Sequence, residues 1–558
     1  MSIRLAQKAE GAYAYPLLIK QLLHTPLATA PCQEIVYRDR GRYTYRTLMS
    51  RIGRLANALS AMGVEPGTTV AVMDWDSHRY LECYFAVPMM GAVLQTVNVR
   101  LSVEQIAYTL NHAGADVLLV HRDFLPLLSE LFRKRTRMMV MVLLEDGQES
   151  LPDQPRFAGE YEALLARVEE RFEFVDFDEH ALATTFYTTG TTGLPKAVAF
   201  THRQIVLHTL AVLGAFASAP HEQSFRHGDV YMPLTPMFHV HAWGLPYVAT
   251  VLGVKQVYPG RYEPSTLLAL RRNEGVTFSH CVPRILQMLL EEPAGAGTDL
   301  SGWKFTIGGS ALPATLAQQA LERGMHVFAA YGMSETCPVL TATRFKAGES
   351  DGSGTHPQGL RKAGIPIPLV DLRVVDDNMR DLVRDGTSAG EIVVRAPWLT
   401  MGYCGDALAS EGLWRGGYLH TRDVGTIDAQ GCLEVRDRLK DVIKSGGEWI
   451  CSLQLEELIS RHPAVAEVAV IAVPDETWGE RPLALVVARP EHRHHLTEAD
   501  IRTHLEQLAH DGLVARYAIP QRTRFVDALE RTSVGKVNKQ LMRERFAPLS
   551  VSKVSPCN

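Results

Sequence analysis

The run Tyr187-Thr-Thr-Gly-Thr-Thr-Gly-Leu-Pro-Lys196 concentrates hydroxyls, glycines and one lysine in a single short stretch. Bare glycines let backbone N–H groups approach anionic oxygens, and the threonine hydroxyls add donors or can face a metal. Lys196 adds a positive charge. A β-like run from Ala183 to Tyr187 leads into the segment, and a helix-like stretch with Val206, Leu210 and Leu213 on one face follows. Strand, loop and helix in that order is the usual setting for phosphate capture. A flexible surface loop would explain the glycines, but not six Gly and Thr residues that end in Pro-Lys. The ordinary P-loop spacing is absent: counted from Gly190, the second glycine position holds Pro195, and Ala197 follows Lys196.

Six further segments carry chemistry-bearing residues. Pro236-Met-Phe-His-Val-His-Ala-Trp243 sets His239 and His241 two apart. They could be a metal pair, but no further ligand lies nearby, and a core or pocket role fits better. Ile307-Gly-Gly-Ser-Ala-Leu312 follows a β-like run, and its glycines would let a planar group lie against the backbone. Ala329-Ala-Tyr-Gly-Met-Ser-Glu335-Thr ends near a glutamate that, in isolation, reads as solvated, and Leu419-His-Thr-Arg-Asp423 ends on a carboxylate that can accept two hydrogen bonds. Asp437-Arg-Leu-Lys-Asp-Val-Ile-Lys-Ser-Gly-Gly-Glu-Trp449 could be a basic linker with a glycine turn, which explains its charges but not its whole spacing. Arg531-Thr-Ser-Val-Gly-Lys536 offers a lysine near the C-terminus.

Taken together, from about residue 45 to residue 545, these segments resemble the signature stretches of the adenylate-forming enzymes: acyl-CoA synthetases, luciferases and peptide-synthetase adenylation domains. The closest texture is that of medium- and long-chain fatty acyl-CoA synthetases, a subgroup that includes ligases of thioether acids such as 3-methylmercaptopropionate. Met73-Asp-Trp-Asp-Ser-His-Arg-Tyr80, Pro236–Trp243 and Lys444–Trp449 carry that likeness. The resemblance implies ATP, Mg²⁺ and coenzyme A, and a large N-terminal domain of layered α/β subdomains with a small β-barrel. A small mobile α+β domain would follow it.

It also assigns residues. Thr188, Thr189, Gly190, Thr191, Thr192 and Lys196 would hold the phosphates. Val240, Gly309, Ser310, Ala329, Ala330, Gly332 and Ser334 would lie along the nucleotide, with Tyr331 stacked on adenine. Thr188 and Glu335 would bind Mg²⁺, a hydroxyl and a carboxylate suited to a hard cation. Asp423 and Arg438 would take the ribose. His239 would sit near the carboxylate and α-phosphate, and Trp243 would gate the acyl tunnel. Lys440 would be the hinge; Lys444 and Trp449 would approach the nucleotide in one closed state, and Gly446 and Gly447 would let pantetheine pass. Lys536 would be the catalytic lysine of adenylation. Two departures stand out: Arg422 replaces the glycine of the usual Thr-Gly-Asp, and Ala197 replaces the glycine that usually follows the loop lysine.

The rest of the chain must position these groups. Its 558 residues suggest three to four domains or subdomains at roughly 150 residues each. Hydrophobic residues are 46% and charged residues 21%, as in an ordinary globular protein. Fifty-seven Lys and Arg against 62 Asp and Glu give −5, so no global basic excess points to nucleic acid. Eight cysteines are scattered without a CxxC pair, which fits a reducing compartment. The N-terminus is too polar for a signal peptide, and no run of about 18 apolar residues suggests a membrane span, so a cytoplasmic protein is expected.

Helix-like and strand-like patterns alternate over the first ~350 residues: helices Arg46–Met62 and His78–Gly91, strands Thr69–Met73 and Val117–Val120. From about Lys362 to Arg438 short β-like runs separated by turns predict a small sheet or barrel. Beyond Lys440 another α/β unit is expected, with a boundary that divides residues 1–438 from 439–558. The expected activity is an AMP-forming acyl-CoA synthetase for a medium- or long-chain fatty acid, and the resemblance points to a homodimer by analogy. Alternatives are a ligase of a short substituted acid, an adenylate-former that does not use CoA, and a catalytically silent nucleotide-binding protein.

Overall fold

A threonine starts the first long helix. The Thr44 side chain accepts the N–H of Thr47, which caps Tyr45–Ala61. Tyr45, Leu48, Ile52, Leu55, Ala56 and Leu59 then fall on one buried face at three- and four-residue spacing. The next helix, His78–Met89, is capped by Ser77 and buried from Arg79 onward. A helix apolar nearly all round belongs between layers. This one packs on Val93–Thr96 and Leu182–Thr188 of one sheet and Glu34–Tyr37 of another. These facts come from a computed structural model that describes residues 3–147, 157–188, 194–292, 297–344, 362–446, 448–531 and 537–546.

The first of those sheets has seven strands. Its order is Gly159–Glu160, Val140–Leu144, Val117–His121, Thr69–Met73, Val93–Thr96, Leu182–Thr188 and Lys196–Thr201, parallel except for the last pair. The second has nine strands, parallel in its interior and antiparallel at both edges. At its centre Val230–Leu234, Phe278–Cys281, Lys304–Ile307 and His326–Gly332 lie side by side. Their side chains alternate between two cores. Met232, Cys281, Phe305, Ile307 and Val327 join the helices on one face. Tyr231, Phe278 and Phe328 join the main core on the other.

Asp371–Val375, Gly390–Arg395, Trp414–Arg415, Tyr418–Ile427 and Leu433–Arg438 form a third, antiparallel sheet of five strands. A fourth sheet begins at Ile443–Ser445 and is dominated by the long pair Val465–Asp475 and Gly479–Ala488. Helices Ser452–Ser460 and Glu498–His510 cover one of its faces. Asp437 ties the third sheet to the fourth: its Oδ2 accepts from the backbone N–H and the Oγ of Ser452, at 2.5 and 2.6 Å. Among the described residues no helix is long and apolar enough to cross a membrane.

One expected element differs. The glycine–threonine segment does not run from a strand into a helix. Leu182–Thr188 and Lys196–Thr201 are antiparallel neighbours, and the helix His202–Ala217 starts only after the second strand. Its capping box at Thr201 and Gln204 sets that start. The inward face of this helix includes Ile205, Val206, Thr209, Val212 and Phe216, while Leu210 is exposed.

Candidate active site

Two strand ends build one wall of a cleft. Lys304–Ile307 delivers Gly308 and Gly309, and His326–Gly332 delivers Ala330, Tyr331 and Gly332. Met333, Ser334, Pro338 and Val339 continue it, and His239, Val240 and Trp243 face it. A Cβ on Gly308 would lie 3.0 Å from Trp243 Cη2 and 3.1 Å from the Ala330 oxygen, so bare backbone is what lets the indole sit there. Two of the expected nucleotide residues do not line this cleft. Ser310 is exposed just beyond Gly309, and Ala329 uses its carbonyl to accept the N–H of Thr343.

At one end the acidic and aromatic groups meet. Tyr331 Oη donates to Asp423 Oδ2 at 2.8 Å, and Arg438 Nε lies 3.6 Å from Asp423 Oδ1. Asp423 and Arg438 are register partners on neighbouring strands, which fixes their spacing. Burial, with the Asp423 charge adding, holds the Tyr331 phenol well above its usual pKa, so it stays a donor. Arg422 has φ +60°, the left-handed conformation that a glycine adopts without cost. Its guanidinium donates to the Gly412 carbonyl at 2.8 Å and its carbonyl accepts from Leu439 N–H at 2.9 Å. We expect Arg422→Gly to fold close to wild type, because relief of left-handed strain offsets the lost hydrogen bond. Arg422→Val should cost at least about 1 kcal/mol more, since a β-branched residue fits that conformation worst. Equal melting temperatures for the two variants would refute this.

At the other end Thr188 pairs across the hairpin with Lys196. Thr189, Gly190, Thr191 and Thr192 lie outside the described residues. The Lys196 ammonium sits 4.8 Å from the centre of the Tyr403 ring. Tyr403 Oη in turn donates to Glu335 Oε1 at 2.7 Å. Glu335 is only 7% exposed. Backbone bonds clamp this corner: Cys404 N–H to the Ala197 carbonyl at 3.0 Å, and Thr400 N–H to the Glu335 carbonyl at 2.9 Å. Ala197 thus stands in a paired, buried strand position. Burial, with Glu335 adding, raises the Tyr403 phenol above its usual range, which keeps it a donor. A hydroxyl, a carboxylate and a lysine on one corner are hard-cation and phosphate chemistry, so Thr188 and Glu335 fit Mg²⁺. Tyr403 was not foreseen; the only sequence signal was Met401-Gly-Tyr403 at a turn.

The segment facing the wall is strained. Val240, His241, Ala242 and Trp243 have φ between 47° and 59°, followed by Gly244 at 74°. A left-handed turn of L-residues costs roughly 1–2 kcal/mol per residue. The surroundings over-determine it. Buried Asp76, with its pKa raised to about 7 by desolvation, accepts the Met237 N–H at 2.8 Å. Tyr84 Oη donates to the Met237 carbonyl, and Thr96 Oγ1 to that of Phe238 at 2.9 Å. His239 is left lining the cleft, while His241 is buried among Tyr84, Phe186, Phe200 and Tyr247. Desolvation pushes His241 down to about 3. The two histidines therefore part company and do not form a metal pair.

In the fourth sheet Lys444 and Trp449 are register partners, and both are exposed. Among the described residues no hydrogen bond or ion pair links either to the cleft. A Cβ on Gly446 would lie 2.6 Å from Trp478 Cε3, so a bare backbone stretch borders a half-exposed indole that the sequence did not single out. Lys440 is exposed at the turn between the third and fourth sheets. Gly447 and Lys536 lie outside the described residues.

A profile described as AMP-binding enzyme matches residues 23–404, and one described as AMP-binding enzyme C-terminal domain matches residues 454–536. A long-chain-fatty-acid–CoA ligase of Thermus thermophilus is 40% identical over 90% of this chain and 90% of its own. A 3-methylmercaptopropionyl-CoA ligase of Ruegeria lacuscaerulensis is 36% identical over 95% of this chain and 97% of its own. The crystal structure of an anthranilate CoA ligase with anthranoyl-AMP shares the fold: TM-score 0.83, 22% identity, 96% of this chain and 99% of that one.

Proposed function

Because the chain belongs to the AMP-binding enzyme family, we infer that it is an ATP-dependent, AMP-forming acyl-CoA synthetase, an acid–thiol ligase. The observation that supports this best is the corner where Lys196, Tyr403 and Glu335 meet, set on the same glycine-walled cleft as Tyr331, Asp423 and Arg438. One end suits a triphosphate and the other a nucleoside.

In the first half-reaction the acid's carboxylate attacks the α-phosphorus of ATP, giving acyl-adenylate and pyrophosphate. Two anions must meet, so catalysis is largely electrostatic. Lys196 and the backbone of the glycine–threonine segment hold the phosphates; His239 positions the carboxylate; Lys536 stabilises the charge developing between them. Thr188 and Glu335 would hold Mg²⁺, which when bound would supply charge neutralisation at the phosphates. In the second half-reaction the CoA sulfur attacks the acyl carbonyl and AMP leaves. We place the pivot between residues 1–438 and 439–558 at Lys440, with Gly446, Gly447 and Trp449 along the pantetheine path. The reading puts the enzyme in the cytoplasm, where ATP and CoA are present; light scattering tests the homodimer.

Tyr403→Phe isolates one part of this scheme. The ring under Lys196 is kept and the donor to Glu335 is lost. The Mg²⁺ concentration for half-maximal AMP formation should rise about 10-fold, the scale of losing a group that orients a metal ligand. An unchanged Mg²⁺ curve would remove Tyr403 from the site.

We propose a medium- or long-chain fatty acid as substrate. A short substituted acid such as 3-methylmercaptopropionate is the second reading, favoured by the indole of Trp243, which closes on Gly308 at 5% exposure. The test of the whole is CoA-dependent AMP formation with straight-chain, branched, aromatic and thioether acids. Absence of AMP with every acid overturns the synthetase reading.

A further inference from the structure

The wall behind Trp243 is almost wholly aromatic. Phe225 stacks on Phe278 with centroids 4.2 Å apart, and Phe216 packs edge-on against Phe328. Besides the Tyr231 phenol and Lys304, whose ammonium is paired with Asp229, two polar side chains interrupt it. His280 lies on Phe278–Cys281 and Thr306 on Lys304–Ile307, and the two are register partners in adjacent parallel strands. Partners in register share a face of the sheet, so their side chains are neighbours. His280 is 0% exposed and Thr306 1% exposed. Neither His280 Nδ1 nor Thr306 Oγ1 has a hydrogen-bond partner among the described residues.

One such atom in a core is costly; two side by side are costlier still, and a valine at 306 would avoid half of that cost. The His280 ring lies 5.1 Å from the indole of Trp243. Gly308, which the indole covers, is two residues past Thr306 on the same chain segment. A swing of Trp243 would therefore open the cleft onto this pair. We propose that His280 and Thr306 select the acid: they take a neutral hydrogen-bond acceptor, such as a keto, ether or hydroxyl oxygen, carried on the acyl chain beyond the indole. The inference rests on the synthetase reading above and deepens it.

The chemistry of the pair fixes the class of group. Tyr231 Oη lies 2.8 Å from His280 Nε2, and the phenol has no other hydrogen-bond acceptor among the described residues. The phenol therefore donates, and His280 carries its proton on Nδ1, as a donor without a partner among the described residues. Desolvation lowers the His280 pKa to about 3, so the ring is neutral. A neutral donor beside a hydroxyl satisfies an uncharged oxygen. It does not compensate a buried carboxylate, so a dicarboxylic acid is excluded.

The experiment compares chain-matched acids: a plain straight-chain acid, the same acid with a keto or ether oxygen walked along the chain, and the matching dicarboxylic acid. AMP formation is measured as kcat/KM for wild type, Thr306→Val and His280→Leu. Wild type should favour one oxygenated position over the plain acid by about 10-fold or more. Each variant should cut that preference at least about 5-fold by gaining on the plain acid. Thr306→Val keeps shape and volume, so it decides the matter if His280→Leu does not fold. Turnover of plain acids with no preference at any position, or a preference that Thr306→Val leaves intact, overturns the selection. So does a dicarboxylic acid used as well as the oxygenated one. No turnover of any acid overturns the synthetase reading itself.

Discussion

Lys536→Ala should lower acyl-adenylate formation by about 10²–10³-fold and leave CoA transfer from supplied acyl-adenylate within a few-fold of wild type. The physics is that of adding an anion to an anion. As the carboxylate oxygen closes on the α-phosphorus, negative charge gathers between them, and a fixed cation there is worth roughly 3–4 kcal/mol in a water-poor site. In the proposed thioester step charge gathers elsewhere, at the acyl carbonyl and the departing AMP. The next lysine along the chain is not free to stand in. Lys539 is buried, with its Nζ 2.6 Å from both Glu456 Oε1 and Ser452 Oγ, so it is already committed to tying the helix Lys539–Phe546 to the helix Ser452–Ser460. Lys440→Pro supplies the reciprocal case. Asp441 and Val442 N–H groups both reach back to the Arg438 carbonyl across Lys440. A proline there fixes φ at the proposed pivot and restricts Leu439 as well. It should spare adenylation and slow the thioester step. Single-turnover assays of each half-reaction decide, and equal loss of both steps in Lys536→Ala would sink the assignment.

What the sequence revealed and what it hid follow from the range of the interactions. The cleft wall was legible because Gly308, Tyr331, Gly332 and Glu335 stand in contiguous runs whose glycines and charges act locally. The helix Ser452–Ser460 and the strand Thr69–Met73 matched their patterns because period and burial agree there. The strand after the glycine–threonine segment was hidden, since Lys196–Thr201 is short and merges into the apolar helix that follows. Tyr403 was invisible because its two partners lie 68 and more than 200 positions away, brought together by a bridge from Val198 to Tyr403. The left-handed turn at Val240–Trp243 was hidden for another reason: no residue in it but Gly244 favours that conformation, and only the buried neighbours enforce it. His280 beside Thr306 needs strand register, which a single chain does not announce.

Gly332→Ala should be among the most damaging single methyls at the described glycines, and it acts at the site itself. A Cβ at 332 would lie 1.7 Å from the Pro338 oxygen and 2.6 Å from its carbon. Both are backbone atoms, so no side chain can step aside; the strands His326–Gly332 and Val339–Ala342 must separate. That motion acts at the centre of the site. Tyr331, one residue before, loses its 2.8 Å bond to Asp423, and Glu335, three residues after, moves off Tyr403. The expected cost is about 3 kcal/mol or more, the scale of overpacking against rigid surroundings. The melting temperature should fall by several degrees, and ATP binding by calorimetry should weaken at least about 10-fold in whatever protein remains folded. Gly41→Ala is the control, because nothing lies within 4 Å of a Cβ there. If Gly332→Ala melted with Gly41→Ala and bound ATP as wild type does, the close approach of these two strands would not be what shapes the nucleotide wall.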